Sequence, residues 1–416
     1  MNRIQTDCAI IGGGPAGMTA AIAALRSGQQ AELYDQNEKL GKKLYITGKG
    51  RCNLTNHCDI SEFFDSIVTN MNFLYSALYT FTNDALMDLM EENGCPLKIE
   101  RGERVFPKSD KSSDVIKTYR KILEREGAQV FLNQRIAAIE TIKGNDGARV
   151  TGIRFENGRI ENYDRVILAT GGRSYISTGS DGSGFKIARE LGHRVTPLRP
   201  SLVGVNTQEA WVPELQGLSL RNVGLTMKQG RKKIRQEAGE MLFTHFGVSG
   251  PLVLTMSAFM KPPYEDYTLT IDLKPALSME QMDARLQRDF EKYHNKHFIN
   301  GLVDLLPSKM IPVMVKCSGI PEDKKVNQIT REERRHLAEL FKGLVLHVTS
   351  LQDINTAIIT SGGVDVKEID PGTMESKLVR GLYFAGEMID VDALTGGFNI
   401  QIAASTGWLA GLSGED

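Results

Sequence analysis

DCAIIGGGPAGMTAAIAALRSGQQAELYD, residues 7–35, decides the fold. A short apolar run meets three glycines, a helix-patterned segment follows, and a second apolar run ends on an acid. That order is strand, tight turn, helix, strand, a single βαβ unit. Gly12, Gly14 and Gly17 occupy the G-x-G-x-x-G positions. The first permits the turn, the second lets a pyrophosphate approach backbone, and the third lets helix and strand pack closely. Pro15 and Ala16 open a helix whose free N–H groups and positive dipole end suit an anion. The helix pattern stops at Gly28, a residue that accepts positive φ cheaply. Asp35 stands eighteen residues past Gly17, where a carboxylate can accept from ribose hydroxyls, and Gln36 follows it. The first strand is expected over residues 4–11.

The chain has 416 residues, too many for one ordinary core, so two or three domains are expected. Its 50 basic and 51 acidic residues nearly cancel, which argues against a nucleic-acid partner or an anionic membrane surface. Cys8, Cys52, Cys58, Cys95 and Cys317 are odd in number and lack C-x-x-C spacing, so neither disulfides nor a metal site is expected. A reducing cytoplasm fits that usage. A strand beginning so near the first residue leaves no room for a secretory signal, and no apolar run reaches the roughly 20 residues that span a bilayer.

Further along, residues 60–127 are mostly helical in pattern, with short strands around KIERGERVFP. Strands joined by turns at Gly147 and at Asn157-Gly158 follow, up to ILATGG. From Pro197 apolar and polar residues alternate, as in antiparallel strands, and residues 278–343 turn helical again. Ser278 with Gln281, and Thr330 with Glu333, have capping-box spacing. The sequence therefore predicts an α/β nucleotide-binding domain, residues 1–195 and 350–416. A β-rich domain, 196–277 with 344–349, and a small helical domain, 278–343, are inserted into it.

Two later segments choose between dinucleotides. VILATGG, 166–172, ends a strand on Gly171-Gly172, and GLYFAGEMIDVDALTGGFNIQIAASTG, 381–407, ends another on Gly386-Glu387 before a helix opening near Gly396-Gly397. A nicotinamide fold has no need of this third element. An FAD fold uses it: an acidic or backbone group meets the ribityl chain, and the last helix directs N–H groups at the flavin ring, where negative charge develops on reduction. LYITGKGRCNLTN, 44–56, gathers small, cationic and amide residues on one loop without any metal-ligand spacing or paired nucleophile.

GGGPAGM, LGKKLYITGKGRCNLTN, ILATGG, GEMLFTHFGVSGP and the 381–407 segment together resemble, over nearly the whole chain, a family of bacterial flavoproteins. It contains aminoacetone-oxidase-like enzymes and BaiN-type 3-dehydro-bile acid Δ4,6-reductases. The resemblance implies a glutathione-reductase-type FAD-binding Rossmann domain. It also implies that the 44–56 loop wraps the FAD pyrophosphate and ribityl chain. Gly48 and Gly50 would allow close approach, Lys42, Lys49 and Arg51 would supply charge, and Cys52 and Asn53 would lie alongside. The family more often has Gly-Arg-Lys where this chain has Gly41-Lys42-Lys43, and lysine offers a point charge in place of a bidentate contact. Arg135, Ile136, Asp390, Gly397, Asn399 and Ile400 complete the expected cofactor contacts.

Other features read more plainly. Cys52 has no partner at redox spacing and is expected to pack as a small residue. His245, at a strand end before Ser249-Gly250-Pro251, is the candidate proton donor, set against a structural role. His294 and His297 are expected on a surface helix. Gly182 and Gly184 in TGSDGSG, before a helix in the layout of fumarate-reductase-like flavoproteins, are expected either to shape the turn alone or to contact the flavin directly. GRKKIR, 230–235, is expected to be a solvated hairpin turn rather than an RNA site.

With one dinucleotide fingerprint and no redox disulfide, NADH or NADPH is expected as a transient reductant in a ping-pong cycle. The leading expectation is FAD-dependent reduction of a conjugated C=C bond in a small hydrophobic carbonyl compound, for which the resemblance suggests a 3-oxo steroid or bile-acid dienone. An amine oxidase that releases hydrogen peroxide and a flavin sensor without turnover stay open.

Overall fold

A computed structural model describes residues 8–144 and 147–412. They form two compact units: one runs up to Ser201 and resumes at Asp353, and the other is Leu202–Gln352. The glycine turn belongs to the first. Its sheet has five strands, β1 (Cys8–Ile11), β2 (Ala31–Tyr34), β3 (Gln129–Phe131), β4 (Arg165–Leu168) and β5 (Leu382–Phe384), in the order β5-β4-β1-β2-β3. Every neighbouring pair is parallel. Of the strand expected over residues 4–11, the part before Cys8 lies outside the described residues.

All residues of β1 and β2 are buried. Strands covered on both faces favour continuous apolar runs, and CAII is one. From β1 the strand order departs in opposite directions toward β2 and β4, so a crevice opens at the carboxyl ends of these strands. The glycine turn lies there.

Helix α1 (Pro15–Arg26) is buried from Ala16 through Ala24, which explains its alanine-rich sequence. It packs against the last helix of the unit, and this contact needs glycine. A Cβ on Gly407 would stand 2.2 Å from the Ala16 carbonyl oxygen, and one on Gly411 would stand 2.3 Å from that of Ala20. The two sites are one helical turn apart. A separate antiparallel set, Ile136–Gly144, Gly147–Phe155 and Ile160–Asn162, carries the turn at Gly147.

The second unit holds a closed six-stranded barrel, with helices at Met279–Lys292, Ile311–Ser318 and Arg331–Lys342. Both expected capping boxes form, at Ser278/Gln281 and Thr330/Glu333. Strand Tyr267–Asp272 alternates between buried and half-buried residues, the period-two pattern of a barrel wall. Gly230 and Arg231 join strands Ser219–Gln229 and Lys232–Phe243, so GRKKIR is a hairpin tip. His294 and His297 are not on a helix. Met279–Lys292 ends before them, and His297 bridges to Lys325 in extended geometry. The helix buries Met282, Leu286 and Phe290, but neither Tyr293 nor His294, one turn on, is buried to extend that face. No described helix is long and apolar enough to cross a membrane.

Gly407→Ala tests the helix seam. Alanine raises helix propensity by about 1 kcal/mol, yet backbone oxygen cannot yield as a side chain would, and overpacking costs about 1–3 kcal/mol. A net loss of stability is expected in urea unfolding followed by tryptophan fluorescence, because Trp408 stacks on Phe81 at 4.5 Å and reports on this helix.

Candidate functional site

At the end of β1 the backbone turns with Gly12 at φ +114°, and a Cβ there would lie 2.4 Å from the Ala169 carbonyl oxygen. The Gly12 N–H donates to the Tyr34 carbonyl at 2.8 Å. Gly17 closes the turn from the helix side, where a Cβ would meet the Gly12 oxygen at 1.8 Å. Gly14 differs from both. Its φ is −81°, which any residue adopts, and nothing lies within 4 Å of where its Cβ would be. The chain itself gives no reason for glycine at this position. Space left open above the uncapped start of α1 fits a phosphate group brought against the helix N–H groups.

Around this turn is a cleft whose empty space, open solvent included, is ≈ 890 Å³. Of the expected contacts it gathers Gly12, Gly14, Pro15, Ala16, Asp35, Gln36, Lys42, Arg135, Ile136, Gly171, Gly386 and Glu387. Asp35 is buried and accepts from the Gly13 N–H at 2.6 Å, the Asn37 N–H at 2.7 Å and the Asn37 amide at 2.8 Å. Burial raises its carboxyl above the ordinary range, against the pull of these bonds and of Lys42. Gln36 donates to the Gly179 carbonyl at 2.7 Å and accepts from Arg135 at 2.7 Å, while Arg135 also pairs with Asp181 at 2.8 Å.

Lys42 Nζ lies 3.1 Å from Glu38. The sequence reading missed Lys43, which also lines the cavity; it donates to Ser174 Oγ and to Glu387 Oε2, both at 2.7 Å. Glu387 Oε1 accepts from the Thr360 N–H at 2.7 Å. Gly172 sits behind this carboxylate, since a Cβ there would come within 2.5 Å of Glu387 Oε1. Residues 42–46 form a helical turn, α2 (Lys42–Ile46), rather than part of one long loop, so the two lysines diverge. That turn was the missing signal, and five residues are too few for a periodicity to reveal it.

The other expected contacts do not line this cavity. After α2, Gly48, Lys49 and Gly50 have φ of +56°, +59° and +84°, and Cys52 has φ +60°. Two non-glycine residues in left-handed backbone carry strain that surrounding contacts must hold. Arg51 supplies some of them. It stacks on Phe106 at 4.2 Å and pairs with Glu100 and, at 2.6 Å, with Asp110, so its charge is engaged within this segment. Asn53, in the amide orientation that satisfies its neighbours, accepts from the Gly397 N–H at 3.1 Å. Thr55 donates to Gln401 at 2.8 Å, and Asn56 donates to the Gly396 carbonyl at 3.2 Å. Residues 53–56 are thereby fastened to the start of α3 (Phe398–Leu412).

Asn399 accepts from the Ala393 N–H at 2.9 Å and fixes the approach to α3, on which the half-buried Ile400 packs against the core. Burial pushes the Asp390 carboxyl up. Cys52 is wholly buried, and burial pushes its thiol up to about 12. His245 is in the second unit, exposed between strands Lys232–Phe243 and Gly247–Ser249, with its ring edge-on to Phe246 at 5.1 Å.

Two outcomes follow from this geometry. Gly14→Val is expected to leave unfolding by urea within about 0.5 kcal/mol of wild type and to weaken FAD binding at least about tenfold, read by flavin fluorescence quenching. At pH 8, iodoacetamide is expected to leave Cys52 unmodified in the folded protein and to label it after denaturation, read by peptide mass spectrometry.

Known proteins place this architecture. Residues 6–413 match the family described as HI0933-like protein Rossmann domain. The 3-dehydro-bile acid Δ4,6-reductase of Clostridium scindens is 31% identical over 100% of both chains. The ribosomal RNA dihydrouridine synthase of Haemophilus influenzae is 30% identical over 97% of each chain. Among solved structures, the 3-ketosteroid Δ1-dehydrogenase of Sterolibacterium denitrificans shares the fold at a TM-score of 0.52, with 12% identity over 98% of this chain and 99% of that one. The fold is the expected FAD-binding Rossmann type, with a barrel and helices inserted, and the chain belongs to the HI0933-like family.

Proposed function

We propose that this flavin-dependent oxidoreductase takes hydride from NADH or NADPH and reduces a C=C bond conjugated with a carbonyl, in a 3-oxo steroid or bile-acid-like enone. The full-length likeness to a 3-dehydro-bile acid Δ4,6-reductase carries this reading. When bound, FAD supplies hydride transfer to the β-carbon of the enone. The chain's residues do the rest. Asp35, with Gln36 and Arg135 beside it, would hold the ribose and adenine end, and Lys42, Lys43 and the start of α1 would neutralise the pyrophosphate. Glu387 would accept from the ribityl hydroxyls. Cys52, held as a thiol, would stay out of the redox chemistry. His245 is proposed to protonate the α-carbon.

One observation favours a second substrate of the same bond type. The curated dihydrouridine synthases of Haemophilus influenzae and Escherichia coli are each 30% identical over 97% of this chain. In uracil the C5=C6 bond is conjugated with the C4 carbonyl, so hydride at C6 and a proton at C5 repeat the enone chemistry. The exposed cations Arg231, Lys232 and Lys233 at the hairpin tip would suit a polyanion. This reading sets aside the sequence-based expectation of no nucleic-acid partner.

Anaerobic stopped-flow spectroscopy tests the proposal. NADH or NADPH should bleach the bound flavin, and a 3-oxo-4,6-diene should then restore its colour. Reoxidation by a ribosomal RNA transcript alone would select uracil. Failure of both nicotinamides to bleach the flavin, or peroxide formed from aminoacetone without them, would overturn the reductase reading. His245→Gln should slow reoxidation by about 10²-fold and leave bleaching unchanged.

A further inference from the structure

Ser376, His193 and Glu368 stand in the order of a hydrolase triad, yet none of them lines the cleft at the glycine turn. His193 follows helix Ser183–Glu190, and its side chain is wholly covered. Ser376 Oγ lies 2.9 Å from His193 Nε2, and His193 Nδ1 lies 3.0 Å from Glu368 Oε2. The serine is not placed as a nucleophile. Ser376 is 6% exposed, and its Oγ already accepts from the Leu378 N–H at 3.0 Å and the Val379 N–H at 2.9 Å.

These bonds leave one assignment of protons. A hydroxyl has one proton and two lone pairs. Backbone N–H groups take both lone pairs of Ser376 Oγ, so the contact with His193 uses the hydroxyl proton and Nε2 is the acceptor. The ring proton is then on Nδ1, which donates to Glu368 Oε2; that oxygen also accepts from the Arg194 N–H at 2.9 Å. An imidazolium would bring a third donor to Oγ and leave the hydroxyl proton without an acceptor. Burial foremost acts in the same direction and lowers the imidazole below its ordinary value, against the pull of Glu368. Among the described residues, Glu368 is the charged group bonded to the ring. The neighbouring charges are turned elsewhere: Arg194 to Asp365 at 3.6 Å, Lys377 to the Lys367 carbonyl at 3.2 Å, and Glu375 to the Gly381 N–H at 2.7 Å. Phe384 meets the ring edge-on at 4.9 Å.

We infer that Ser376, His193 and Glu368 form a locked hydrogen-bond chain, with His193 neutral and its proton on Nδ1, and that this chain positions Gly386 and Glu387 for FAD. The second half rests on the reading of the cleft as an FAD site. Residues 374–376 run antiparallel along β5: the Ser376 N–H donates to the Leu382 carbonyl at 2.7 Å, the Phe384 N–H donates to the Met374 carbonyl at 3.1 Å, and Glu375 bridges to Tyr383. The locked ring holds this segment through Ser376 and packs on Phe384. Directly after Phe384, Ala385, Gly386 and Glu387 line the cleft. The three side chains are positioning residues; none needs to touch the cofactor. The direction with pH follows from linkage. An unfolded imidazole takes its proton near about pH 6.5, whereas the folded one does so only at lower pH, so the stabilisation is complete above that pH and is lost as pH falls toward the folded value.

Long-range ¹H–¹⁵N spectroscopy of histidine-labelled, FAD-loaded protein at pH 7 tests the proton assignment, the His193 signals being those missing from His193→Gln. A protonated Nδ1 and an unprotonated Nε2 are expected; a proton on Nε2, alone or with Nδ1, would overturn the proposal. Positioning is read from FAD affinity. His193→Leu fills the space without an acceptor and should raise the FAD dissociation constant about tenfold. His193→Gln, whose amide oxygen can accept from Ser376, should stay within about threefold of wild type. Equal affinities in the two variants would overturn the positioning role. Should His193→Leu not fold, Ser376→Ala, which removes the hydroxyl, takes its place with the same expectation. Wild type that bound no FAD would instead strike the cofactor reading and the positioning with it, while the spectrum of the unloaded protein would still decide the tautomer.

Discussion

The structure of the first unit depends on how closely backbone approaches backbone at the end of β1. Gly12 lies against Ala169, Gly17 against Gly12, and Gly407 against Ala16, each at a separation that excludes a Cβ. These contacts hold a strand, a turn and two helices in one geometry and leave open space above Gly14. Side chains elsewhere in the unit serve this arrangement. Asp35 ties the turn through Gly13, and the Tyr34 carbonyl ties it through Gly12.

A second constraint joins distant parts of the chain. Residues 53–56 are bonded to the Gly396–Gly397 turn and to Gln401 through Asn53, Thr55 and Asn56. Lys43 meets Glu387 from the far end of the sequence. A site for one extended ligand needs such long-range ties, because its anionic centre and its reactive ring must be gripped by elements hundreds of residues apart. Reduction of an enone asks little more of the protein than this grip, dry surroundings and one proton donor.

The sequence made the βαβ unit legible because each of its glycines has a separate physical task, and tasks at fixed spacing leave a pattern. The capping boxes at Ser278 and Thr330 and the hairpin at Gly230 were legible for the same reason: each is a local rule. Lys43 was not legible, since its role depends on a five-residue helical turn and on partners 131 and 344 positions away. Arg51 shows the converse. Its charge suggested a phosphate contact, but Glu100 and Asp110, brought close only by the fold, engage it. His245, the proposed proton donor, has no motif of its own.

The central claim is that the cavity at the glycine turn holds both halves of a dinucleotide, with Asp35, Gln36 and Arg135 contributing at the adenosine end. Equilibrium binding of FAD and of FMN to the deflavinated protein tests it most directly. FAD should bind at least about a hundredfold more tightly, a difference of about 2.7 kcal/mol; equal affinity for the two, or no binding of FAD, would contradict it.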